Sequence, residues 1–314
     1  MKKVLGIVLF FLALYVCLLF ADEGARSWQN HVNLGRRIGL FGIISLGAGL
    51  LIISGGIDLS IGSVVALSAT IMAMLLIDAH WHPALAIAAV LLVGAVIGLI
   101  NGLLVTKLRV QAFIVTLCGL FIYRGAARWL ASDRVKGLGS DFPTLKSILY
   151  SSEVFFGIPV SLVILLVLAL VAGVLLHYSV YGRYLYAIGN NERAARFSGI
   201  ATDRYKVGAY VLCSTLAAFF GILFLMQENQ VRPSGTGSFF ELYAIAGAVL
   251  GGCSLRGGEG TIIGILIGTA IMRLLPNLSN MWGVSSELEF TVIGSALLLV
   301  AIMDEWLRRR GARG

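Results

Sequence analysis

The chain has 314 residues, of which 58% are hydrophobic and 13% charged, and its mean hydropathy is +0.92. A soluble domain carries about 25% charged residues, so composition excludes a soluble globular protein. The formal charge of +8 is dispersed among loops, which reads as topogenic charge rather than a surface for nucleic acid.

Apolar runs of about 20 residues cross the hydrocarbon layer as helices. In chain order such runs fall near 4–21, 38–54, 60–77, 84–106, 112–130, 158–177, 207–226, 242–255, 260–275 and 288–305. None shows the alternation of a membrane barrel strand. The expected fold is therefore all-α: a polytopic membrane protein of about ten transmembrane helices, forming one membrane domain over 1–314. Asp22-Glu23 follows the first band where the small residues of a cleavage site belong, so that band reads as a retained helix rather than a signal peptide. With a cytoplasmic N-terminus, 14 of the 24 Lys and Arg residues face inward, including Arg308, Arg309, Arg310 and Arg313. Arg26, Arg36 and Arg37 in the first outer loop oppose that bias. The expectation is both termini in the cytoplasm, with larger outer loops near 131–157 and 227–241.

Cys17, Cys118, Cys213 and Cys253 all lie in apolar bands and read as small core residues. Neither they nor the four His residues have metal-like spacing, no Ser-His-Asp set stands out, and no GxxxxGK[ST] phosphate loop occurs. The sequence thus offers no catalytic group and no metal site. Gly94, Gly98 and Gly102, and again Gly260, Gly264 and Gly268, are spaced by four and predict close helix packing.

Two segments interrupt helices at membrane depth, Ser54 to Gly62 and Gly251 to Gly260. Each follows one short apolar band and precedes another. They read either as borders of a substrate route or as short turns between helices. Asp58 is the sharpest single residue, because an ionisable group near hydrocarbon is costly. Asp58 or Ser60 either caps the helix starting near Leu59 or borders a polar route, and one pair could do both. Asn101, inside a long apolar helix, needs a partner for its amide and is expected nearby.

From Ser179 to Lys206 the banding stops. Within this polar island, Asn190-Asn191-Glu192-Arg193-Ala194-Ala195-Arg196-Phe197-Ser198-Gly199 carries signals for a two-turn helix: an Asn N-cap, an acid at the positive end and a glycine stop. Glu192 and Arg196 are four apart with the acid first, the favourable order. Small Ala194 and Ala195 suit a groove on a partner, and Arg193 and Arg196 suit acidic groups there.

This island resembles the coupling loop of ABC importer membrane subunits, and the run Gly189 to Ile200 is similar to the form in ribose-type sugar permeases. Gly55-Gly56-Ile57-Asp58-Leu59-Ser60-Ile61-Gly62-Ser63, Gly98-Leu99-Ile100-Asn101-Gly102, Phe113 to Leu117, Tyr123-Arg124-Gly125 and Gly247 to Gly252 match as well, in order along nearly the whole chain. Cys118 and Gln111-Ala112 depart slightly from the pattern. The resemblance implies a non-catalytic permease subunit in the bacterial inner membrane, paired with a second permease copy, identical or paralogous. It also implies a separate cytoplasmic ATPase that holds ATP and Mg, and a periplasmic sugar-binding protein that delivers a monosaccharide. Gly189, Asn191, Glu192, Ala194, Ala195, Arg196, Ser198 and Gly199 would contact the ATPase. Asp58, Ser60 and Asn101 would border the route. The alternatives are a permease of the same architecture for branched-chain amino acids or another small solute, an ion-driven secondary transporter, and a lipid-modifying membrane enzyme.

Overall fold

The computed structural model describes residues 2–150 and 157–284, with isolated positions between 288 and 298. Its helices are α1 (Lys2–Leu19), α2 (Trp28–Ile53), α3 (Ile61–Ile77), α4 (Pro83–Thr106), α5 (Ala112–Leu130), α6 (Pro143–Tyr150), α7 (Val160–Gly173), α8 (Val180–Asn190), α9 (Glu192–Phe197), α10 (Thr202–Glu228), α11 (Phe240–Leu250) and α12 (Ile262–Met281). A π turn, Val174–Tyr178, extends α7. Two short strands, β1 (Lys136–Gly137) and β2 (Gln230–Val231), pair antiparallel.

Six helical stretches are long and apolar enough to cross a membrane: α2, α4, α5, α7 with its π turn, α10 and α12. Three shorter apolar helices accompany them, Leu5–Leu19 within α1, α3 and α11. The band at 288–305 and the basic C-terminus lie largely outside the described residues. The all-α polytopic class stands on these helices; against the expected ten crossings, the described residues hold six full-length spans and three shorter apolar helices.

Several boundaries depart from the hydropathy bands for physical reasons. Helix α2 starts at Trp28, ten residues before the apolar band, because Ser27 Oγ accepts the Asn30 amide and nucleates the helix upstream. Arg36 and Arg37 are therefore helical rather than in a loop. The outer segment expected as loop 131–157 contains α6 and β1. Through β1 it pairs with the other large connection, where the Leu138 amide donates to Asn229 O at 2.9 Å. Lys136 also reaches Asp78 at 2.7 Å.

Helix α10 is the spine, packing along α4 and against α3 and α2. Gly94, Gly98 and Gly102 form the seam: an added Cβ on each would press into Ser214, Ala218, Tyr210, Val211 or Val207 of α10. Gly264 and Gly268 play the same part between α12 and α11, facing Gly251 and Gly247. Gly260 does not belong to that stripe; it lies before α12 with φ +154°. Without a hydrophobic force between helices in lipid, such close backbone approach is what holds the bundle. Cys213 and Cys253 are buried as expected, whereas Cys17 and Cys118 face outward, an outcome hydropathy cannot separate because lipid-facing and core positions are equally apolar.

Candidate functional site: a buried polar chain and a capped surface helix

Helix α2 ends in a Schellman motif. Gly55 is left-handed at φ +77°, its amide donates to Ile52 O and the Gly56 amide donates to Leu51 O. Helix α11 ends the same way, with Gly252 at φ +90°, its amide on Val249 O and the Cys253 amide on Ala248 O. Both interruptions are thus glycine stops followed by a turn into the next helix. A side chain with a Cβ at either left-handed position would strain the backbone.

Five residues after Ile53 the chain delivers Asp58. Its Oδ1 accepts from the Ser60 amide at 2.7 Å and the Ser60 hydroxyl at 2.5 Å. Helix α3 begins at Ile61, and the Ser60 side chain makes no cap bond; the local turn is made by Asp58 bonding two residues ahead. Asn101 Nδ2 of α4 donates to Ser60 Oγ at 3.3 Å, and the Tyr123 hydroxyl of α5 donates to Asn101 Oδ1 at 2.7 Å. The Tyr210 hydroxyl of α10 donates to Ile57 O at 3.3 Å. Asp58, Ser60 and Asn101 therefore join in one hydrogen-bonded chain. All three are buried, at 2%, 0% and 1% exposure, so within a single copy none of them faces open space. Tyr123, half-buried, is the member nearest the exposed side of α5. Asp58 Oδ2 and Ser214 Oγ are buried outside hydrogen-bonding geometry, although Ser214 interacts with the carboxylate. Buried polar atoms are normally paired, so this half of the carboxylate is the least satisfied part of the chain.

Tyr123, Tyr210 and Ser214 were not legible as partners, because they arrive from helices remote in sequence. Three ionisable residues inside the bundle also escape a reading centred on Asp58. Arg124 of α5 donates to Pro233 O at 3.1 Å and to Thr236 O. Glu241 is buried at the start of α11 with its carboxylate against Gly62. Arg273 of α12 stacks over Phe41 and Tyr243, 3.9 and 4.4 Å from the ring centres. An isolated Arg or Glu in an apolar band was the available signal.

The polar island holds two helices rather than one. Ser179 Oγ caps α8 by accepting the Gly182 amide at 3.2 Å. Asn191 Oδ1 caps α9 by accepting the Ala194 amide at 3.0 Å. Gly199, at φ +84°, ends α9 with the same paired bonds seen after α2 and α11, its amide on Arg196 O and the Ile200 amide on Ala195 O. A charge network straps α9 to α10: Lys206 to Glu192 at 2.9 Å, Glu192 to Arg196 at 3.4 Å, Arg196 to Asp203 at 2.7 Å, and Lys107 to Asp203 at 3.0 Å. Ala195 is buried beneath α9 at 5% exposure, so it packs inside this chain and does not present itself to a groove elsewhere. Ala194 and Arg193 face out, as does Phe197, which is 92% exposed. A cleft beside α9 is lined by Arg109, Arg193, Arg196, Lys206 and Phe197. Ser198 donates back to Ala194 O at 3.0 Å. Gly189, at the end of α8, is pressed against Ile53 O and the Gly258 amide.

Tyr186 of α8 donates to Gly260 O at 2.6 Å. Burial, followed by the neighbouring Cys253, pushes that hydroxyl up to about 12. Among the described residues, no group of three or more His, Cys, Asp or Glu could hold a metal.

A bundle of long apolar helices, sealed by glycine seams around a buried polar chain and carrying a capped polar helix pair at one end, defines a multi-pass membrane protein. The chain belongs to the family described as the permease component of branched-chain amino acid transport systems, which it matches over residues 30–303. It is 37% identical over 298 residues to the ribose import permease protein RbsC of Bacillus subtilis, covering 94% of this chain and 91% of that one. It is equally identical over 285 residues to RbsC of Escherichia coli K12, covering 88% and 85%. The autoinducer 2 import system permease protein LsrC of Yersinia enterocolitica is 34% identical over 299 residues, covering 95% and 81%. No solved structure matches the chain.

Proposed function

We propose that this chain is the membrane subunit of an ATP-driven importer that carries a ribose-like monosaccharide across the bacterial inner membrane. The observation that carries this reading is the 37% identity to a ribose import permease along nine-tenths of both chains. The capped polar helix α9, with Phe197 and Arg193 turned outward, supports docking on a separate ATPase that holds ATP and Mg. In that reading Asn191, Glu192, Ala194, Arg196, Ser198 and Gly199 shape the ATPase contact, while Gly189, packed within this chain against Ile53 O and the Gly258 amide, and Ala195 support it from below. Asp58, Ser60 and Asn101 would brace the wall of the route through Tyr123. A periplasmic sugar-binding protein delivers the solute and a second permease copy, identical or paralogous, completes the route. The chain supplies no catalytic group.

Ten crossings, with both termini in the cytoplasm, fit this reading. The ends of α2, α4 and α11 would then share the cytoplasmic side with α8 and α9, and Asp78 with Lys136 would share the outer side.

Uptake of labelled solutes by cells expressing the chain with its cognate ATPase and binding protein tests the substrate. Accumulation of ribose or a related monosaccharide, unaffected by excess leucine, is the expected result. Accumulation of leucine, isoleucine or valine instead would overturn the sugar assignment.

A further inference from the structure

Three pieces of backbone far apart in sequence meet at one point. The end of α2 contributes Ile53 and Gly55, the end of α8 contributes Gly189, and the second interruption contributes Gly257 and Gly258. The Gly258 amide donates to Ile53 O at 2.9 Å. A Cβ on Gly189 would collide with Ile53 O and the Gly258 amide. A Cβ on Gly257 would lie 2.8 Å from Gly189 O and 3.0 Å from Gly55 Cα. Tyr186 and Gly260 add a second tie between α8 and the same interruption. All three segments therefore touch backbone to backbone at Ile53, Gly55, Gly189, Gly257 and Gly258, and the Asn190 side chain packs on Gly258 beside them.

Flexible side chains at such a contact would absorb a displacement of the surface helices, whereas bare backbone passes it on, because close-packed interiors deform little. On one side the joint leads through Asn190 and Asn191 directly into α9. On the other it leads through Gly56 and Ile57 to Asp58, whose carboxylate holds Ser60 and, through it, Asn101 and Tyr123. Resting on the coupling role proposed above, the geometry points to Gly189, Gly257 and Gly258 as positioning residues: a rigid joint that makes α8–α9 and both glycine-interrupted segments move as one body, linking the ATPase contact to the polar chain of the membrane domain.

Gly189 is the discriminating position, because its φ is not among the positive values and only space forbids a side chain. In the assembled transporter, Gly189→Ala should lower uptake about ten-fold or more, the range of an ordinary coupling energy. ATP hydrolysis and co-purification with the ATPase should stay at the level of Gly173→Ala, whose added Cβ meets nothing within 4 Å. A second measurement keeps every native glycine and places spin labels at Arg183 of α8 and at Leu255, both exposed. Their separation should remain constant between the nucleotide-free and ATP-bound complexes. Uptake by Gly189→Ala equal to that of Gly173→Ala, or a change of the Arg183–Leu255 separation with ATP, would overturn the joint. Failure of the native chain to co-purify with the ATPase would instead strike the coupling role on which the joint rests.

Discussion

Asp58 holds its turn with one oxygen and leaves the other poorly satisfied. Asn in its place retains an acceptor for the Ser60 amide and hydroxyl, so the turn should survive; Ala removes the acceptor of two buried donors, a loss of about 1–3 kcal/mol. If the carboxylate serves transport, Asp58→Asn lowers solute uptake and solute-stimulated ATP hydrolysis while the amount of folded permease is unchanged. That outcome is predicted here, and normal uptake by the variant would leave Asp58 as a structural residue. Asp58, Ser60 and Asn101 were legible in the sequence because each is a polar group stranded among apolar ones. Their partners were not, since Tyr123 lies 22 residues from Asn101 and Tyr210 lies 153 from Ile57, and a tyrosine in a membrane helix is ordinary at an interface.

At the scale of elements, three helices end by the same device, a left-handed glycine with paired amide bonds, at Gly55, Gly199 and Gly252. Glycine pairs and a lone Gly after an amphipathic turn made these stops readable in advance. The start of α2 was not readable, because Ser27 capping extends the helix through Arg36 and Arg37, and hydropathy measures solvent preference rather than backbone bonding. Helix α9 was legible from Asn191, Glu192 and Gly199, but which of its two alanines faces out was not, since a six-residue helix has too few positions to show a face. Its exposed ion pairs contribute roughly 0–1 kcal/mol each, and Asn191 as cap about 1 kcal/mol. Glu192→Lys places a cation beside Arg196 and Lys206, breaking both of their contacts with residue 192. It should loosen α9 and lower uptake without changing membrane insertion, and faster amide exchange over 194–197 in the variant is the check. Phe197→Ser is the cleaner probe of docking, because a side chain so exposed contributes nothing to this chain's packing. Loss of ATPase co-purification with an unchanged melting temperature is expected; unchanged co-purification would remove Phe197 from the contact.

Across the whole molecule, the apolar bands predicted the order of the helices well and their lengths less well. Helix α11, with 11 residues, rises about 16 Å, short of a ~30 Å hydrocarbon layer. The segment before it is instead held inside by Arg124, whose guanidinium takes the Pro233 and Thr236 carbonyls. Hydropathy cannot register a connection that enters the bundle because a charged side chain satisfies its backbone. The sugar-importer reading further requires that transport draw on ATP through a partner rather than on an ion gradient. Arg124, Glu241 and Arg273 give an ion-driven mechanism more ionisable groups than the sequence reading allowed, so the energy source is the point to measure. Proteoliposomes holding this chain, its ATPase and its binding protein should accumulate labelled ribose only when ATP is present, and with no ion gradient imposed. Accumulation driven by a proton or sodium gradient, without ATP or the ATPase, would contradict the account.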